Sequence, residues 1–297
     1  MRKRWAVGIA VALLASFAAA NVLAWNHAYA LTHFVEDGAR TPNPEDLTGL
    51  DKAKLLFTGA RIPKPPGTDW PREEGLAVSH TSGERETVGT IFFFHGYAAN
   101  RAQVHPTVAA MDKGGWDLIS VDFYGHGDSP GNTTTVGWDE AQDVLEVVEG
   151  TQGPVILYGF SMGAAAILRA TGPLGLQVDA VIAEGCFGRF DTTVRQRFKN
   201  MGLPSWPGTE LLLFWGSRQM DFQATAHNPQ DYIAQVQAPV LLLHGQDDLR
   251  VTLEEAQALG QYGELVVTPG LGHQQLAEVD RAAFQAAVSP FLEPFGY

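Results

Sequence analysis

The 297-residue sequence predicts an α/β fold: a mostly parallel, doubly wound sheet with helices on both faces and a helical cap inserted between two strands. Three observations carry that prediction. Short, continuous apolar runs alternate with segments of helical periodicity, as expected where strands are buried on both faces of a parallel sheet. A Gly-x-Ser-x-Gly turn stands where one such run passes into a helical segment. The stretch 186–237 then interrupts the alternation with a cluster of aromatic residues and no comparable strand.

Taken from the N-terminus, residues 1–35 form a membrane-targeting segment. Arg2, Lys3 and Arg4 are followed by no formally charged side chain from Trp5 to Val35. The 21 residues from Trp5 to Trp25 would reach about 30 Å as a helix, enough to cross a bilayer, with a tryptophan near each interface. The basic cluster holds its end on the cytoplasmic side, so the body of the chain is expected on the exocytoplasmic side, periplasmic or extracellular. Ala18-Ala19-Ala20 and Ala28-Tyr29-Ala30 offer small residues at the spacing of a cleavage site, which leaves a secreted product as the alternative. Removal of the segment is expected to leave a soluble, active domain.

Residues 36–75 read as a linker, stiffest at Thr41-Pro42-Asn43-Pro44 and around Pro63, Pro65 and Pro66. The catalytic-domain candidate is 76–297. Strands are expected at 91–94, 118–121, 155–158, 180–183, 240–243 and 265–267, and helices at 139–149, 161–170, 253–262 and 274–291. The cap at about 186–237 holds Phe187, Phe190, Phe198, Trp206, Phe214, Trp215, Phe222 and Tyr232. Its aromatics are expected to wall an apolar site above Ser161, with Trp206 and Trp215 as the side chains chosen to test this. The segment 75–90 is short for an opening pair of strands.

Composition narrows the function classes. With 45% hydrophobic and 18% charged residues the chain is of globular type, and its net charge of -13 repels nucleic acid. Cys186 is the single cysteine, which excludes an intramolecular disulfide and any C-x-x-C metal or redox site. No phosphate-loop or dinucleotide-binding glycine pattern occurs. No cofactor and no metal are implied.

The chemistry centres on Gly159-Phe160-Ser161-Met162-Gly163. A sharp strand-to-helix turn lifts the Ser161 hydroxyl clear of the sheet, and the two glycines remove side chains that would collide there. A serine hydroxyl needs a base, and the base needs an acid that fixes its tautomer. His273, in the glycine-rich loop 270–273 after the last strand, is the candidate base. Asp248, in His244-Gly245-Gln246-Asp247-Asp248, is the candidate acid, with Asp247 as the alternative and Glu184 as a remoter one that fits a supporting role better. The backbone N–H groups of Tyr97, in the loop after the 91–94 strand, and of Met162 are the candidate oxyanion donors. His95 is read as a brace for that loop, and 122–129 as a structural turn.

These motifs, HGY at 95–97, DFYGHGDS at 122–129, GFSMG at 159–163, HGQDD at 244–248 and GLGH at 270–273, resemble those of the α/β-hydrolase superfamily from about Leu76 onward. The closer likeness is to its serine aminopeptidase-like and monoglyceride lipase-like group, which includes bacterial members with an N-terminal membrane segment. The resemblance implies the α/β-hydrolase fold and a serine hydrolase without cofactor, with Ser161, Asp248 and His273 as its triad. It points to a small-molecule acyl ester or thioester as substrate and leaves an acyltransferase, a peptidase or a non-catalytic membrane-tethered binding module as alternatives. Neither resemblance nor pattern specifies an oligomeric state.

Overall fold

The computed structural model describes residues 2–34, 75–81 and 87–297. The proposed linker therefore lies outside the described residues apart from Gly75. Among the described residues one sheet of seven strands organises the fold, in the order β1 (Val78–Thr81), β3 (Trp116–Val121), β2 (Gly89–Phe94), β4 (Val155–Phe160), β5 (Ala180–Glu184), β6 (Val240–Gly245) and β7 (Glu264–Thr268). β1 pairs antiparallel with β3, and every other pairing is parallel. All six strands expected from the apolar runs are present, and β1 is the short opening strand.

Parallel strands need crossover connections, and here these are helices on both faces. On one face lie α3 (Glu140–Val148) and α4 (Met162–Thr171), packed on Phe92, Phe94, Leu157, Val181 and Leu242. On the other, the crossover helix α2 (His105–Met111) and α10 (Arg281–Leu292), which follows the last strand, cover Ile91, Phe93, Ile156, Ile182 and Leu241. The strict alternation along β2 sends its phenylalanines into two cores, each ring worth roughly 1.5–3 kcal/mol over leaving it in water.

Two helical segments differ from expectation. The predicted 274–291 helix is two helices, α9 (Leu276–Val279) and α10, because Asp280 stops the first and its carboxylate accepts a 2.9 Å hydrogen bond from the Ala283 amide of the second. α2 was not expected, since seven residues hold too few turns to show a period. It starts after a 3₁₀ turn, Arg101–Val104, capped by Asn100, and has proline in its first turn.

Between β5 and β6 the chain forms α5 (Phe190–Asn200), α6 (Gly208–Met220) and α7 (Pro229–Ile233), with α5 and α6 closing around Val194, Leu213, Phe222 and Ala224. The N-terminal helix α1 (Arg2–Thr32) packs along α6. A capping box of Thr252 and Glu255 opens α8 (Leu253–Leu259), the helix between β6 and β7.

Candidate active site

Ser161 stands between β4 and α4 with φ 53° and ψ −109°, a conformation that costs a non-glycine residue about 1–3 kcal/mol and persists only where its surroundings enforce it. They do. The Ser161 amide donates to the Glu184 carbonyl at 2.8 Å, and its carbonyl accepts from Ala165 at 3.1 Å. A Cβ on Gly159 would lie 2.5 Å from the Gly163 carbonyl, and one on Gly163 would lie 2.5 Å from the Phe94 carbonyl oxygen. Only glycine lets the elbow close on the end of β2, and that approach brings the 95–97 loop beside Ser161.

His273 Nε2 lies 3.0 Å from Ser161 Oγ, and His273 Nδ1 lies 2.6 Å from Asp248 Oδ2. The carboxylate fixes the tautomer: Nδ1–H donates to Asp248, and Nε2 accepts from the serine hydroxyl. The other oxygen of Asp248 accepts from the amides of Arg250 at 2.7 Å and Val251 at 3.0 Å. Burial alone would push this carboxyl up, but the His273 hydrogen bond and charge with the two amides outweigh it and hold it below the usual carboxylate range. Asp247, its neighbour, is exposed, and its amide donates to the Leu271 carbonyl at 2.9 Å, tying the acid loop to the histidine loop.

Met162 opens α4, so its amide has no intrahelical acceptor, and both Met162 and Tyr97 line the same cavity as Ser161 and His273. The Tyr97 loop is braced from several sides. His95 Nδ1–H donates to the Gly96 carbonyl at 2.7 Å, and its Nε2 accepts from the Phe123 amide at 3.2 Å, so both ring nitrogens are engaged with backbone. Its burial, with His126 and Arg101 nearby, keeps it well below the usual histidine range and neutral. In the 122–129 turn, Asp122 accepts from the Arg101 amide at 2.6 Å and the Asp128 amide at 2.9 Å.

Glu184 is not against His273 in the hydrogen-bond pattern. Its carboxyl accepts from the Tyr158 hydroxyl and the Leu276 amide, each at 2.5 Å, and burial pushes it up to about 7. It thus anchors the chain just after the histidine loop. Sequence reasoning missed the partners of this buried network. Gln103 accepts from the Gly96 amide at 2.7 Å, and Gln275 donates to the Gln103 carbonyl at 2.7 Å, linking the two loops that flank Ser161. Neither glutamine belongs to a motif, and only the tertiary contact gives it a role. Cys186 is buried beside this region, and burial with the Glu255 charge pushes its thiol well up, away from thiolate chemistry.

Above Ser161 lies a cavity of about 510 Å³. Phe187, Phe190, Phe198, Leu213 and Phe222 give it an apolar wall, and Arg197 and Arg250 stand at its rim. Trp206 and Trp215 do not line it. Trp206 is 73% exposed, and Trp215 turns to α1, where its ring meets Trp25 edge-on at 5.0 Å. The other side of the cavity comes from α1, through His27, Ala28, Leu31 and Thr32, a contribution that the reading of residues 1–35 as an anchor did not foresee.

Residues 91–288 match the family model described as Alpha/beta hydrolase family. The chain belongs to this family. Among relatives, Bacillus subtilis YqkD is 26% identical over 220 residues, spanning 70% of this chain and 72% of its own. Human ABHD12B is 29% identical over 184 residues, 57% of this chain and 48% of its own, so this chain spans about half of that relative. The bifunctional esterase/perhydrolase DCH of Acinetobacter calcoaceticus is 25% identical over 256 residues, 68% of this chain and 91% of its own. Among solved structures, the Pyrococcus furiosus esterase Pf2001 superposes with a TM-score of 0.66 at 21% identity, covering 90% of this chain and 98% of that one. At that identity the likeness speaks for the fold, which is that of an α/β hydrolase with esterases among its neighbours.

Proposed function

We propose that the protein is a serine hydrolase that cleaves carboxylic esters or thioesters through an acyl-enzyme on Ser161. The observation that carries the proposal is the chain Ser161 Oγ, His273, Asp248, with links of 3.0 Å and 2.6 Å, at the floor of an apolar cavity. In this reading Ser161 Oγ attacks the acyl carbon while His273 Nε2 takes the hydroxyl proton. The oxyanion forms against the amides of Tyr97 and Met162, where preorganised donors are worth most. His273 then gives its proton to the departing alkoxide or thiolate, leaving the acyl group on Ser161. Water, deprotonated by the same nitrogen, attacks the acyl-enzyme, the proton returns to Ser161, and the carboxylic acid departs.

The membrane reading supports a location for this chemistry. Gly8–Thr32 of α1 is long and apolar enough to cross a bilayer, and Arg2, Lys3 and Arg4 precede it. The proposal has α1 as a retained anchor and the hydrolase domain on the exocytoplasmic side. The test is labelling of the full-length protein with a fluorophosphonate probe, followed by turnover of p-nitrophenyl esters and the matching thioesters. Labelling at Ser161 with hydrolysis of either series is expected. An unlabelled, inactive protein that is folded by circular dichroism would overturn the reading.

A further inference from the structure

α1 is divided into a bare part and a docked part. From Ile9 through Ala19 its described side chains are exposed, whereas Ala20, Asn21, Ala24, Ala28, Leu31 and Thr32 are covered to differing degrees and recur at three- and four-residue spacing, one face of a helix. That face is pinned by specific bonds. The Trp215 indole N–H donates to Asn21 Oδ1 at 3.2 Å, and the Gln219 amide donates to the Trp25 carbonyl at 3.0 Å. Both pairs have the same offset of 194 residues, so α1 and α6 run parallel. Beyond the helix, the Thr134 amide donates to the Thr32 carbonyl at 3.0 Å, the Phe34 amide to the Asn132 carbonyl at 2.6 Å, and the Tyr97 hydroxyl to the Leu31 carbonyl at 2.7 Å. Tyr97 is the residue whose amide faces the oxyanion position in the reading above.

We propose that the last two turns of α1 complete the acyl-binding cavity, and that the cavity draws its substrate, a long-chain lipid ester, from the bilayer that holds the rest of α1. The proposal rests on the ester-hydrolase reading and adds the substrate class and its source. Ala28, 2% exposed, and Leu31 line the cavity opposite Phe190 and Leu213, so α1 supplies a wall and not only a tether. Met201 lines the cavity and is 57% exposed, so the cavity reaches the surface there as it does at Arg197 and Arg250. Next to Met201 stand Leu203 and Trp206, 51% and 73% exposed, in the loop that leads into α6. Because α6 runs parallel to α1, that loop lies toward the bare, uncharged stretch 9–19 of α1, with Arg2, Lys3 and Arg4 beyond it. The occupant that fits the bare helix face and the apolar loop together is the hydrocarbon and interface of a membrane. A chain passing from bilayer to cavity exchanges one apolar medium for another, whereas each methylene routed through water would add to the barrier.

The experiment uses full-length protein in phosphatidylcholine vesicles that hold p-nitrophenyl dodecanoate, with p-nitrophenyl butyrate in the aqueous phase as the comparison. Fluorophosphonate labelling serves as the check that each variant keeps its site. Ala28→Phe, which fills the wall, should lower the dodecanoate-to-butyrate ratio of kcat/KM tenfold or more. Leu31→Ala, which trims the same wall and enlarges the cavity, should move the ratio the other way. The double variant Leu203→Asp with Trp206→Asp should leave butyrate turnover unchanged and cut hydrolysis of the vesicle ester at least fivefold. Unchanged ratios in both wall variants with labelling intact would overturn the composite cavity. Full vesicle hydrolysis by the double variant, or a loss equal on both esters, would overturn loading from the bilayer. If the double variant instead turns a dimer into a monomer without affecting vesicle hydrolysis, the apolar face joins two copies and the proposal fails. Wild-type protein that neither labels nor hydrolyses either ester would overturn the ester-hydrolase reading itself.

Discussion

Asp248 Oδ2 sits 2.6 Å from His273 Nδ1, while the carboxylate one residue earlier in the chain is exposed and outside this contact. Two adjacent aspartates therefore have different environments, one 1% exposed at its side chain and bonded to three N–H groups, the other in solvent. Asp248→Asn is expected to lower kcat by about 10⁴-fold, because an amide facing Nδ1 favours the wrong histidine tautomer. Asp247→Asn should stay within about threefold of wild type, as surface changes usually do little. Steady-state kinetics on one ester decides the matter, and a reversed ranking would move the acid to Asp247.

Replacing Ser161 separates chemistry from strain. Ser161→Ala and Ser161→Gly should both lose activity by a factor on the order of 10⁴ or more. Only glycine adopts φ 53°, ψ −109° without a steric penalty, so Ser161→Gly should be the more stable of the two by about 1 kcal/mol. Urea unfolding of both variants measures the difference, and equal midpoints would show that the elbow is not strained.

The glycines of the elbow make a second stability prediction. Gly163→Ala places a Cβ 2.5 Å from the Phe94 carbonyl oxygen and 2.7 Å from that of His95, both backbone atoms. The end of β2 must shift, which should cost about 1–3 kcal/mol and displace the Tyr97 amide. Activity should fall along with thermal stability. A variant with wild-type melting temperature and turnover would show that the β2 loop gives way freely.

Glu184 gives the fold a pH dependence of known sign. Its carboxyl titrates at about 7 in the folded chain, raised by burial from an ordinary 4.5. Between these values the folded state holds a proton that the unfolded state has lost, so stability falls as pH rises from about 4.5 to 7 and levels off above. The shift corresponds to about 3 kcal/mol as an order of magnitude. Glu184→Gln has no such titration and still accepts from the Leu276 amide. Denaturation at pH 5 and pH 8 should show a flatter profile for the variant, which becomes the more stable protein at the higher pH. Parallel profiles would remove Glu184 as the source.

Much of this protein was legible in the sequence because its determinants are local. A strand buried on both faces must be continuously apolar, so segments such as 155–158 and 240–243 declare themselves. A serine held on a strand-to-helix turn needs glycines two positions either side, and Gly159 and Gly163 are there for the reason that the 2.5 Å approaches make plain. The order of serine, acid and histidine along the chain reflects the order of the strands that carry them. Other features depended on which surfaces meet, and no local pattern encodes that. That Asp248 and not Asp247 meets His273 is a 2.6 Å contact between residues 25 positions apart, which no local pattern encodes. Gln103 and Gln275 acquire their roles only when two loops far apart in sequence converge. Trp206 and Trp215 share with Phe187 and Phe222 an aromatic composition, yet Trp206, in the loop before α6, faces outward and Trp215, on α6, meets α1, because which surface a side chain meets is set by its neighbours. α1 reads in isolation as an apolar span. Only the tertiary structure turns its last two turns into a wall of the cavity, since burial is a property of the pair of surfaces and not of either one.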